Sequence, residues 1–201
     1  MSRNNFIAAG FLALGLAIVG GYALSQSAGP AQAAEDGPGP NLVIEVAGAT
    51  SGTIVIDLLP DVAPKHVAQI AALASQGAYD DVVFHRVIDG FMAQTGDVQY
   101  GKGAASEQVG MGGSDLPDLP AEFSSLSFDR GVVGMARASD PDSANSQFFI
   151  MFAPAPHLDG QYTIVGRVIA GMEVVDAIKK GAGGNGQVSE PDRMAKVTVV
   201  E

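Results

Sequence analysis

The 201-residue chain contains no cysteine and no tryptophan. Without cysteine it can form no disulfide, offers no thiolate nucleophile and has no thiol for lipid attachment. Basic residues are few, 11 Lys and Arg against 22 Asp and Glu, for a net charge of −11. That balance argues against nucleic-acid binding, which relies on Lys and Arg to neutralise phosphates. Only three histidines occur, His66, His85 and His157, with no H-x-x-x-H spacing, so no metal site is expected. No G-x-S-x-G elbow is present either, which weakens a serine hydrolase reading. The run Gly181-Ala182-Gly183-Gly184-Asn185-Gly186 spells G-x-G-x-x-G, but it follows a predicted helix rather than a strand. The dinucleotide reading fails on that context, and the run reads as a flexible loop.

Charge is also missing from residues 4–34, of which residues 6–24 are nearly all apolar or glycine. Arg3 precedes this run and Ala31-Gln32-Ala33 follows it, the layout of a secretory signal peptide over residues 1–33. Nineteen apolar residues approach the ~20 needed to span a bilayer, so an uncleaved anchor is the competing reading. Removing the leader takes away one positive charge, Arg3, and moves −11 to −12. Such charge favours solubility and is silent on fold. The expected location is periplasmic or secreted, with membrane contact only through an uncleaved leader. Residues 34–40 form a polar, Gly- and Pro-rich linker, and residues 41–201 form one domain with no internal repeat.

What remains is rich in β-branched runs. Residues 42–46, 53–58, 82–88, 91–95, 131–136, 147–152, 162–168 and 196–200 read as eight short strands punctuated by Gly, Pro and Asp. Residues 64–76 carry Val67, Ile70, Ala71 and Ala74 on one helical face behind Pro64. A second helix is expected over residues 171–180, with Lys179 and Lys180 in its last turn and Gly181 as its cap. Two helices flanking a long β region predict a β-barrel with capping helices rather than βαβ units. The Gly-, Ser-, Asp- and Pro-rich stretch between Gln99 and Phe123 is a long loop, a feature more often functional than inert.

Within residues 82–88, alternation places Phe84, Arg86 and Ile88 on one face and His85 and Val87 on the other. An arginine between two apolar neighbours either snorkels to water, pairs with an Asp, or serves a site, and this strand alone leaves those readings open. Gln147 and Phe149 similarly share one face of a later strand. Read together, the runs are more specific. Tyr79, Val82, Phe84-His85-Arg86-Val87-Ile88, Phe91-Met92 and Gln94-Thr95-Gly96 closely resemble the signature of the cyclophilins. The resemblance continues through Gly134-Met135-Ala136, Asn145-Ser146-Gln147-Phe148-Phe149-Ile150, Leu158-Asp159-Gly160 and Gly166-Arg167-Val168, and covers nearly all of residues 41–201.

That resemblance implies a closed eight-stranded antiparallel β-barrel capped by two helices, with a substrate groove on its outer surface. It implies peptidyl-prolyl cis/trans isomerase activity on proline-containing polypeptides, with no cofactor and no metal. Nothing in the sequence points to an obligate partner, so a monomer is expected. Arg86, Phe91 and Gln94 take the catalytic positions. Met92, Ala136, Gln147, Phe149, His157, Leu158 and Tyr162 take the substrate-binding ones. Three positions depart from the family pattern. His157 stands where many members have Trp, which implies weak cyclosporin binding; Tyr162 replaces a frequent His; and Ala136-Arg137-Ala138 replaces Ala-Asn-Ala. The loop after Gln99 matches poorly, so no residue is carried over from it. A chaperone-like peptide-binding module with weak isomerase activity is the alternative.

Overall fold

A computed structural model describes residues 35–103 and 106–201. The expected leader, residues 1–33, lies outside the described residues. Strand β1 (Asn41–Ala47) buries Leu42, Ile44 and Val46 and turns Val43 and Glu45 outward, the period-two pattern of a half-buried strand. It pairs antiparallel with β2 (Gly52–Leu58), setting Ile44 opposite Ile54 and Leu42 opposite Ile56. Helix α1 (Pro64–Ser75) follows, then β3 (Val82–Val83), β4 (Arg86–Ile88), β5 (Met92–Thr95), β6 (Val132–Met135) and β7 (Phe148–Met151). A 3-10 turn (Pro156–Leu158), β8 (Ile164–Ala170), helix α2 (Met172–Ala177) and β9 (Arg193–Val200) complete the chain.

The strands form one antiparallel sheet in the order β3-β9-β1-β2-β8-β6-β7-β5-β4. Nine strands replace the expected eight because the run over residues 82–88 is interrupted at Phe84-His85. Its first part pairs with β9 and its second with β5. The two terminal strands of the order are therefore joined by two residues of chain rather than by a ladder. At the break the Phe84 N–H donates to Asp192 O and the Val188 N–H donates to His85 O, so other segments satisfy the backbone that leaves the sheet. The break also corrects the face assignment. Phe84 and Val87 both enter the inner core, whereas Arg86 and Ile88 turn outward.

Helix α1 buries His66, Val67, Ile70, Leu73 and Ala74. No side chain of its own first turn caps it. The carboxylate of Glu122, 57 residues on, accepts the Lys65 and His66 N–H groups at 3.1 Å and His66 Nδ1 at 2.6 Å. Gly77, at φ +67°, ends the helix in the left-handed conformation that a side chain would strain. Helix α2 is shorter than expected. It stops at Ala177, because Ile178 adopts an extended conformation, so Lys179 and Lys180 lie beyond its last turn.

Apolar side chains gather in two clusters. The inner one, which includes Ile44, Ile56, Phe84, Phe148 and Ile150, fills the space enclosed by the sheet. The outer one contains Met92, Phe128, Phe149, Met151, Leu158 and Ile164, with Phe91, Ala136 and Tyr162 packed against it. Adjacent residues of β7 feed both clusters.

Candidate active site

The register of four strands builds the site as a row on the outer face. Arg86 on β4 stands opposite Gln94 on β5, Gln94 opposite Phe149 on β7, and Phe149 opposite Gly134 on β6. Gly134 is a requirement of packing here. A Cβ would stand 2.6 Å from atoms of both Phe128 and Phe149, whose rings lie over the strand. Those rings stack with centroids 5.8 Å apart, and Tyr162 meets Phe149 edge-on at 5.9 Å. Phe91 stacks on exposed His157 at 5.8 Å.

These elements enclose a concave site of about 340 Å³ lined by Arg86, Phe91, Met92, Gln94, Ala136, Arg137, Phe149, His157, Leu158 and Tyr162. Gln147, expected with them, instead lines a neighbouring hollow of about 450 Å³ together with Met111, Ser114, Asp118 and Asn145. The two hollows share Gln94, Ala136 and Arg137 as their common wall.

A chain of polar contacts fixes the arginine. Arg86 Nε donates to Asn185 O at 2.9 Å and Nη1 donates to Gln94 Oε1 at 3.1 Å. Gln94 Nε2 in turn donates to Gln147 Oε1 at 2.9 Å, and Gln147 Nε2 donates to Gly112 O at 2.8 Å and Gly110 O at 3.0 Å. The far end of this chain is Asp97, fully buried, whose carboxylate accepts the N–H groups of Gln99, Tyr100, Gly110 and Gly112 at 2.7–3.1 Å. Arg86 pairs with no carboxylate, and its Nη2 makes no hydrogen bond among the described residues. A positive charge with an unused donor thus faces a hollow lined by both polar and apolar side chains.

Sequence reasoning missed Asp97, Gly110, Gly112 and Asn185. Asp97 directly follows the recognisable run ending at Gly96, and Asp before a Gly-rich loop is a frequent organiser of turns through backbone N–H bonds. The 181–186 run, expected to be a flexible loop, is tied to the site. Asn185 holds Arg86, the Val87 N–H donates to Gly186 O at 2.7 Å and the Gly181 N–H donates to Val87 O at 2.9 Å. Behind the site sits His85, 4% exposed. Burial pushes its imidazole below the usual range, an effect that the negative charge of Asp97 opposes. At neutral pH it is therefore uncharged and packs under the 110 loop, where a Cβ on Gly110 would lie 3.2 Å from its ring.

The outer face of the sheet thus presents a fixed guanidinium, a glutamine pair and a hollow with aromatic walls side by side. The model of the family described as cyclophilin type peptidyl-prolyl cis-trans isomerase/CLD matches residues 42–199, and the chain belongs to this family. It is 59% identical over 152 residues to a probable peptidyl-prolyl cis-trans isomerase of Brucella suis, covering 74% of this chain and 78% of that one. A peptidyl-prolyl cis-trans isomerase of Arabidopsis thaliana is 39% identical over 151 residues, 74% of this chain and 90% of the relative. Among solved structures, a Cryptosporidium parvum cyclophilin determined in the presence of the dipeptide Ala-Pro superposes with a TM-score of 0.68 at 26% identity. That match covers 80% of this chain and 99% of the other. A Hirschia baltica cyclophilin gives 0.66 at 26% identity over 81% and 74%.

Proposed function

We propose that this isomerase accelerates rotation about X-Pro bonds with Arg86 as the group that stabilises the twisted amide, in proteins that have left the cytoplasm. The uncatalysed barrier, ~18–20 kcal/mol, is the loss of amide resonance, and no bond has to be broken. The enzyme must therefore bind the twisted state more tightly than either planar form. In that state the prolyl nitrogen regains a lone pair, and a guanidinium N–H can donate to it. The observation that carries this reading is the unused Nη2 of Arg86, on a guanidinium held from behind by Asn185 O and Gln94 Oε1.

The proline ring would enter the hollow bounded by Phe91, Met92, Phe149 and Leu158 and displace water from their apolar surfaces. Gln94 holds Arg86 and Ala136 offers backbone groups to the peptide. An acceleration of about 10⁵-fold requires about 7 kcal/mol of differential binding. One charge-assisted hydrogen bond supplies ~1.5–3 kcal/mol, so orientation and desolvation supply the rest. The test is exchange spectroscopy or a coupled isomerisation assay on an X-Pro peptide with the wild type and Arg86→Ala. Unchanged turnover in the variant would remove Arg86 from the mechanism.

Export rests on the leader. The apolar run behind Arg3 and the Ala31-Gln32-Ala33 exit support a periplasmic or secreted enzyme that assists folding of exported proteins. The mass of the protein recovered from an extracytoplasmic fraction tests this, and a species retaining residues 1–33 would count for an anchor. Weak cyclosporin binding belongs to the same proposal, because exposed His157 presents a smaller, more polar surface at the rim than an indole.

A further inference from the structure

The charge distribution around the groove runs against that of the rest of the molecule. Acids outnumber bases two to one, and each described arginine outside the groove has a carboxylate partner: Arg130 with Asp176, Arg167 with Asp57, Arg193 with Asp81. The two arginines that line the hollow beside Phe149, Arg86 and Arg137, have none, and no Asp or Glu lines that hollow. Arg137 is nonetheless held in place. Nη1 donates to Ala138 O at 3.0 Å, Nη2 donates to Gln161 O at 3.0 Å, and the guanidinium carbon sits 4.3 Å from the centre of the Tyr162 ring. Its Nε is buried without any partner. Neutral carbonyls and a ring face orient the charge without cancelling it.

Arg137 also stands in the wall shared by the two hollows. A peptide whose proline occupies the first and whose chain continues into the second passes between Gln94 and Arg137. The residue next to the proline is thereby placed beside an uncompensated guanidinium, with Arg86 across the same hollow. Asp118 lies further along, on the second hollow, with one carboxylate oxygen engaged by Asn145 Nδ2 at 2.9 Å. It repels a second acid there but does not face the first hollow.

We infer that Arg137 is a specificity-determining residue, which selects substrates carrying a carboxylate side chain next to the proline and disfavours a lysine there. The inference rests on the isomerase reading above and deepens it. Half-buried pairs of this kind change binding by small factors. A Glu-over-Lys preference of about three- to tenfold in kcat/KM is expected, shrinking as salt screens the charges. The long-range field of the acidic body opposes the effect, so the preference is local.

The experiment compares short peptides with Glu, Gln or Lys immediately before the proline, and a second set with the same residues immediately after it. The full chain is assayed as wild type, Arg137→Gln and Arg137→Lys, each checked for folding by its thermal transition. Wild type should prefer Glu over Lys at one of the two positions. Arg137→Gln should compress that ratio below about twofold, and Arg137→Lys should retain it, with the change carried mainly in KM. Equal rates for Glu and Lys at both positions, or a ratio untouched by Arg137→Gln, would overturn the assignment. Should wild type fail to accelerate even the Gln peptides, it is the isomerase reading that falls, and the two failures remain distinguishable.

Discussion

Strand β7 puts two aromatic neighbours to opposite uses. Phe148 points into the inner cluster, where Tyr79 meets it edge-on at 5.7 Å, and the surrounding side chains leave it 1% exposed. Phe149 points outward into the second cluster, and although only 5% exposed it forms part of the hollow beside Arg86. Burial alone does not separate them. The difference lies in what surrounds each ring: Phe148 is packed on by Tyr79 and the inner cluster, whereas Phe149 is packed on by Phe128 and Tyr162 and borders the open hollow. Apolar surface inside the curled sheet stabilises the fold. The same kind of surface outside is where the proposed mechanism would seat a proline ring.

Substitutions on the two faces should break this symmetry in a graded way. Phe148→Ala opens a cavity in a closed core and should cost about 3–5 kcal/mol, read as a fall in the denaturation midpoint, with activity per folded molecule retained. Arg86→Ala should do the reverse. A loss of ~1.5–3 kcal/mol in transition-state binding corresponds to about a 10- to 150-fold fall in kcat/KM, while the midpoint moves little. Phe149→Ala lies between the two. It should lower stability less than Phe148→Ala, because its site is already open on one side, and also raise KM for proline peptides. Equal stability losses from Phe148→Ala and Phe149→Ala would show that the outer cluster is ordinary core.

Asp97→Asn tests the polar chain from its far end. Replacing a carboxylate that accepts four N–H groups disturbs the 110 loop, and with it Gln147, Gln94 and Arg86. About a threefold to tenfold loss of kcat, with Arg86 still present, is expected. The smallest effect concerns pH. The imidazole of His85 is lowered in the folded state, so below about pH 6.5 the unfolded chain binds a proton that the folded chain does not. Stability should therefore decline as pH falls from that value toward the depressed one, and His85→Gln should flatten this slope. Losses at lower pH have another source. Burial tends to raise the carboxyl of Glu122, but hydrogen bonds from the His66 side chain and from the His66 and Lys65 N–H groups outweigh it and hold it below the ordinary range. Its contribution disappears only as pH falls through that lowered value.

Most strands and α1 were legible because their signals are local. Alternation in Leu42-Val43-Ile44-Glu45-Val46 and the Pro64 start of α1 depend on a few neighbouring residues. Errors fell where a distant segment competes with local pattern. The run over residues 82–88 has an unbroken strand signature, yet it breaks at Phe84-His85 because Asp192 and Val188 take up the backbone groups there. The end of α2 moved for a similar reason. The Lys179 N–H donates to the buried carboxylate of Asp192 at 2.8 Å instead of continuing the helix. Residues of the site on recognisable strands, such as Arg86, Gln94 and Phe149, could be named in advance. Asn185, Gly110 and Gly112 contribute backbone carbonyls, which no side-chain pattern reveals.

By itself the sequence determined the family, the strand-rich architecture, the residue types of the groove and the acidic character of the chain. Those properties are carried by side-chain identity and spacing, which fold-level packing does not alter. Only the tertiary structure decided that Asp97, a glycine-rich loop and the 181–186 turn together hold one guanidinium. It alone showed that Arg137 stands beside that group without an acid. Contacts between residues as far apart as Arg86 and Asn185 exist only once the chain has closed, so their geometry and charge balance belong to the folded molecule.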